Sequence, residues 1–134
     1  VEVLAFGVLV FVVGTLVVTN AWGVVDAKLA VSSAARQAAR TYVETGGSGA
    51  DADAAATQSA METLANLHRA AGSTVLPAAG TYGRCTRVSF KVSTVVPFFH
   101  LPWVASTRSG FTVSAVHSEL VDPYRSGPDG VASC

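Results

Sequence analysis

A chain of 134 residues has room for one compact domain, and with an apolar N-terminal stretch set aside about 100 residues remain for its core. Nine Lys and Arg balance nine Asp and Glu, so the overall charge draws the chain neither to nucleic acid nor to an anionic surface. Hydrophobic residues make up 50% and charged residues 13%, and the apolar excess lies in the first 25 positions and in alanine-rich stretches. The chain therefore divides into residues 1–25, almost wholly apolar, and residues 26–134, with the composition of a small soluble domain.

The opening stretch VEVLAFGVLVFVVGTLVVTNAW, residues 1–22, carries a single formal charge, Glu2, and the next one is Asp26. As a helix rising about 1.5 Å per residue, such a run is long enough to cross a bilayer. It has no basic n-region, it exceeds the usual apolar core of a secretory signal, and its helical pattern continues past any small-x-small site, so it is expected to be retained. Gly7, Gly14 and Ala21 recur every seven residues on nearly one face, where small side chains let a second helix approach closely. Glycine is also common in single transmembrane helices without such a role.

Helix-compatible residues continue without proline from 3 to about 45, and Gly46, Gly47, Ser48 and Gly49 are the first breakers. The pattern turns amphipathic at Asp26: Lys28, Ser32, Arg36, Arg40 and Glu44 form a polar stripe opposite Ala27, Ala30, Val31, Ala34, Ala35, Ala38 and Tyr42. A second helix is expected from about 51 to 71, with Asp51 and Asp53 capping or charge-stabilising its start and His68 and Arg69 in its last turn. Met61, Leu64, Leu67 and Ala71 would supply its apolar face, and its alanines suit close packing on the Ala face of residues 27–42, giving an α-hairpin.

From residue 83 the period changes to two. Residues 87–93 and 111–115 alternate polar and apolar with β-branched enrichment, which predicts two strands. The Ala115-Val116 step breaks the alternation and is read as a bulge, before Leu120 and Val121 lead into a Gly/Pro tail. Between the strands lies a link, residues 97–103, bracketed by prolines. Its Phe98, Phe99 and Trp103 are either an exposed adhesive or membrane-interface patch or the plug that closes the sheet over the helix, and the plug is preferred.

Cys85 and Cys134 form no CxxC pair, which gives zinc or redox chemistry little support. A disulfide between them is favoured over two free thiols, because the membrane-type N-terminus implies export to an oxidising compartment. No phosphate loop, nucleophile elbow, H-E-x-x-H or EF-hand pattern occurs. His68, His100 and His117 share no helical face and are read as structural, so neither a metal nor another cofactor is expected.

Three pieces in order, the opening VEVLAFGVLVFVVG with its early Glu2, then LAVSSAARQAARTYVETG, then SGFTVSAVHSELVDPYRSG after the aromatic link, make the chain similar to the TadE-like family of pilin-like proteins. That family belongs to the tight-adherence branch of the type IV pilus systems. The resemblance covers nearly the whole chain, and the order of the pieces is more specific than any one of them. It implies a non-enzymatic subunit inserted in the cytoplasmic membrane, cut by a prepilin peptidase before the hydrophobic segment, and assembled into an extracellular pilus. Its partners would be copies of itself or other pilin subunits, the assembly machinery and the membrane, with no nucleic acid.

The resemblance also gives Glu2 a role: pairing with the N-terminal amine of a neighbouring subunit inside the apolar core. An unpaired carboxylate there would be protonated or expelled, whereas a paired one sets axial register. The bland alternative is a carboxylate solvated at the bilayer's polar boundary. Pilins usually carry this glutamate fifth in the mature chain and here it is second, so the expectation is a start a few residues upstream or a shifted cleavage site. The expected fold class is α+β, with a long N-terminal helix, a second packed helix and a small antiparallel sheet as the head. Two other functions fit the same residues: a minor or priming subunit, and a single-pass anchored module whose sheet binds an extracellular ligand.

Overall fold

The computed structural model describes residues 2–97, 110–131 and 133–134. Its first helix, α1, runs unbroken from Glu2 to Glu44, 43 residues or about 65 Å at the usual helical rise. Among the described residues none before Ala27 is buried, whereas Ala27, Ala30, Val31, Ala34, Ala35, Ala38, Ala39 and Tyr42 are. This is the face opposite the polar stripe, so the amphipathic half of α1 is the half that packs.

Helix α2 spans Gly49–Asn66 and folds back along α1. Its N-cap is Ser48, rather than Asp51 or Asp53. The Ser48 hydroxyl accepts from the Asp51 backbone N–H at 3.3 Å and the Asp51 carboxylate accepts from the Ser48 N–H at 3.1 Å, a reciprocal capping box. The Ser48 hydroxyl also donates to the Asp51 carboxylate at 2.7 Å, and this side-chain bond first, with the bond from the Ser48 N–H second, holds the Asp51 carboxyl below its ordinary range. The buried residues of α2 are Ala52, Ala56, Ala60 and Leu64, spaced by four; facing the alanines of α1, they let the two backbones come close. The expected apolar face was only partly right, since Leu67 and Ala71 are exposed.

Helix α2 also ends earlier than the expected residue 71. Arg69 N–H bonds the Leu64 carbonyl at 2.7 Å, and His68 takes a left-handed φ of 55°. His68 and Arg69 therefore lie past the helix, and the chain is freed to enter a strand that the sequence pattern did not announce. That strand, β1, is Thr74–Ala79. It contains Pro77, which is tolerated because β1 is an edge strand, and its register on the next strand shifts between Leu76 and Ala79.

Strands β2, Arg87–Pro97, and β3, Gly110–Leu120, are antiparallel and complete a sheet of order β1-β2-β3. Their register is unbroken from Arg87↔Leu120 to Pro97↔Gly110, so the bulge expected at Ala115-Val116 does not exist. The alternation breaks there for a different reason: Val116 points outward, 61% exposed, while His117 turns toward the helices opposite Phe90 and meets Glu119 at 3.1 Å. Gly110 is required where β3 begins, because a Cβ there would lie 2.6 Å from Val95 Cγ1 and 2.7 Å from the Val96 carbonyl oxygen.

The inner face of β2, Val88, Phe90, Val92, Thr94 and Val96, lies over α1. The Phe90 ring meets Tyr42 edge-on at 5.4 Å, and Tyr42 meets Tyr82 at 5.5 Å. Buried Thr94 receives a hydrogen bond from Ser73 at 2.8 Å. At the C-terminal end of α1 the Tyr82 hydroxyl donates to the Thr45 carbonyl at 2.8 Å and the Arg125 guanidinium donates to the Glu44 carbonyl, serving acceptors that a helix end leaves open. Cys85 and Cys134 are joined by a disulfide, with Cα atoms 5.3 Å apart and a sequence separation of 49, which fastens the tail beside this end.

Candidate assembly and membrane surface

The most apolar 18-residue window of α1 has none of its residues buried. Val3, Leu4, Phe6, Leu9, Phe11 and Val18 project on all sides of the helix, with Phe11 75% exposed. A cylinder about 10 Å across and about 35 Å long presents roughly 1,100 Å² of lateral surface, well above the few hundred Å² of contiguous apolar patch that monomeric soluble proteins carry. By length and composition this half of α1 is able to cross a membrane.

The polar side chains in this half are arranged for a dry setting. Thr15 donates its hydroxyl to the Phe11 carbonyl at 2.9 Å, Thr19 to the Thr15 carbonyl at 2.7 Å, and the Asn20 amide to the Leu16 carbonyl at 2.9 Å. Each threonine hydroxyl thus finds its acceptor one turn back on the same helix, so its donor needs neither water nor a partner, while Asn20 places one of its two amide N–H groups in the same way. The apolar pattern does not announce these residues; the signal that does is a Thr within a continuous helix, where its hydroxyl faces the carbonyl four residues back.

The small residues of the proposed stripe have separate surroundings. A Cβ on Gly7 or Gly14 would have nothing within 4 Å, and Gly14 forms a notch bordered by Val10, Phe11, Thr15 and Val18. Ala21 instead lines a groove with Asn20, Val24, Val96, Pro97 and Phe111, where the end of the sheet meets the helix. Glu2 is exposed in the first turn of α1, where a carboxylate suits the positive end of the helix dipole. Phe98, Phe99 and Trp103 lie outside the described residues.

Charge returns immediately beyond the apolar half. Asp26 pairs with Arg69 at 2.8 Å, tying α1 to the segment after α2, and Lys28 Nζ donates to the Ser114 carbonyl of β3 at 2.5 Å. Exposed Trp22 stands one turn before them, and amphipathic rings of this kind are enriched at membrane–water interfaces in membrane proteins. No family model, curated protein or solved structure matches this chain. The geometry is that of a long rod whose distal half is clamped in a disulfide-tied head and whose proximal half is bare.

Proposed function

We propose that the chain is a non-enzymatic, pilin-like structural subunit that polymerises through the apolar half of α1 into an extracellular filament of the type IV, tight-adherence kind. The observation that carries this reading is the unburied apolar half of a single continuous helix, rigidly joined to a head that leaves it uncovered. Before assembly, lipid covers that surface; in a filament, equivalent helices of neighbouring subunits cover it, exchanging one apolar environment for another. The self-bonded Thr15 and Thr19 fit either environment. Glu2, at the start of the rod, is the group assigned to pair with a neighbour's terminal amine and set axial register.

The test is cryo-electron microscopy of filaments sheared from cells that make this chain, together with the Glu2→Ala variant. The expected result is a continuous array of this chain with its first 25 residues in the core, and a variant that folds its head but fails to enter filaments. Density confined to a filament tip would make it a priming subunit, and presence only in membrane fractions would make it an anchored module. Normal assembly of Glu2→Ala would remove the pairing role.

A further inference from the structure

Strand β2 runs against the direction of α1. Phe90 stands beside Tyr42 near the far end of the rod, and six residues later Val96 stands beside Gly23, where an added Cβ would lie 3.9 Å from Val96 Cγ1. The end of the β2–β3 pair at Pro97 and Gly110 therefore points back along the helix toward its apolar half. It passes the level of the first charges: Val96, Pro97 and Phe111 share a groove with Asn20, Ala21 and Val24, all N-terminal to Asp26.

The depth follows from helical rise. Ala21 precedes Asp26 by five residues, or about 7 Å along the axis, comparable to the roughly 5–8 Å of headgroup layer on each side of a bilayer. Residues 3–21 as a helix span about 28 Å, close to the hydrocarbon thickness of about 30 Å. With that span in the hydrocarbon, the Asp26–Arg69 pair and Lys28 lie at the outer edge of the headgroups and the sheet tip lies within the interfacial layer. The side chains at the tip have the matching chemistry. Phe111 is 55% exposed, Val95 and Pro97 are exposed, and Trp22 and Val25 stand at the same level on the helix.

We infer that the β2–β3 tip is a second membrane-contact element: before assembly Val95, Pro97 and Phe111 are seated in the phospholipid interface beside the spanning half of α1. This rests on the reading of that half as a membrane span. The occupant is lipid because Pro97 and Phe111 line one apolar groove with Ala21 and Val24 of α1 and are held at a fixed depth by the seat of Val96 beside Gly23. The head thus meets the bilayer at two places, which fixes its orientation about the helix axis.

The experiment places one tryptophan at a time in the full chain, with Trp22→Phe and Trp103→Phe as background, in phosphatidylcholine vesicles whose lipids carry bromine either near the glycerol end or near the tip of the acyl chain. Phe111→Trp is expected to lose most of its emission to the shallow bromine and less to the deep one. Leu9→Trp should lose most to the deep bromine, and Tyr124→Trp, at the far end of the head, should lose none. Should Leu9→Trp be quenched while Phe111→Trp behaves like Tyr124→Trp, the tip proposal is overturned and the span stands. Absence of quenching at Leu9→Trp as well would overturn the span and the tip together.

Discussion

Residues 2–26 and 27–44 belong to one unbroken helix, yet the first stretch has no buried residue and the second has eight. Backbone geometry is the same in both. What differs is the side-chain surface: alanines in the second stretch let α2 and the sheet approach the backbone on one face, with charges on the other. In the first stretch Val, Leu and Phe project all round and offer no single face against which a small head could close. A helix that is apolar on every side is stable only when lipid or other helices surround it, so the contrast separates a face used for folding from a surface the fold leaves uncovered.

The sharpest break in that contrast comes from the head's largest apolar anchor on α1. Phe90→Ala should cost about 3–5 kcal/mol and unfold a head this small, read as loss of the thermal transition in detergent. Cys85→Ser combined with Cys134→Ser should cost about 2–4 kcal/mol by freeing a loop of 49 residues, seen as a lower denaturation midpoint under oxidising conditions. A matched pair probes the two halves directly. Ala34→Leu, buried in the head, should destabilise by about 1–3 kcal/mol through overpacking, whereas Gly14→Leu should leave the head's unfolding midpoint unchanged and reduce filament yield. Equal loss of head stability in both would erase the distinction.

The smallest effect concerns the α2 cap. Bonds from Ser48 lower the folded pKa of Asp51, so its contribution to stability is present above the ordinary carboxyl range and lost as pH falls through the lowered folded value. Asp51→Asn should flatten that acid limb slightly and leave neutral-pH assembly intact, measured as unfolding midpoint against pH.

Much of this was legible because it is local. The switch of helix 1 at Asp26, the GGSG turn, the alternation of β2 and the pairing of the only two cysteines are patterns of residues close in the chain or few in kind. The candidate surface was legible as an apolar run, while its satisfied polar groups required the helix geometry that places Thr15 under Phe11 and Thr19 under Thr15. Strand β1 was not legible: TVLPAA has no alternation and contains proline, and it becomes a strand only because β2 offers it an open edge. The inward turn of His117 was missed for the same reason, since a continuous register with β2 places it on the inner face whatever its polarity.

The sequence by itself determined that a long helix would form, that it would change from all-round apolar to amphipathic at Asp26, and that an α+β head of fixed size would follow, because periodicity and composition act over a few turns or strands. Tertiary structure decided where α2 stops, which strand takes the sheet edge, and how far the sheet tip reaches along α1. Those outcomes depend on contacts between residues distant in the chain, such as Phe90 with Tyr42 and Val96 with Gly23, whose geometry no local pattern encodes.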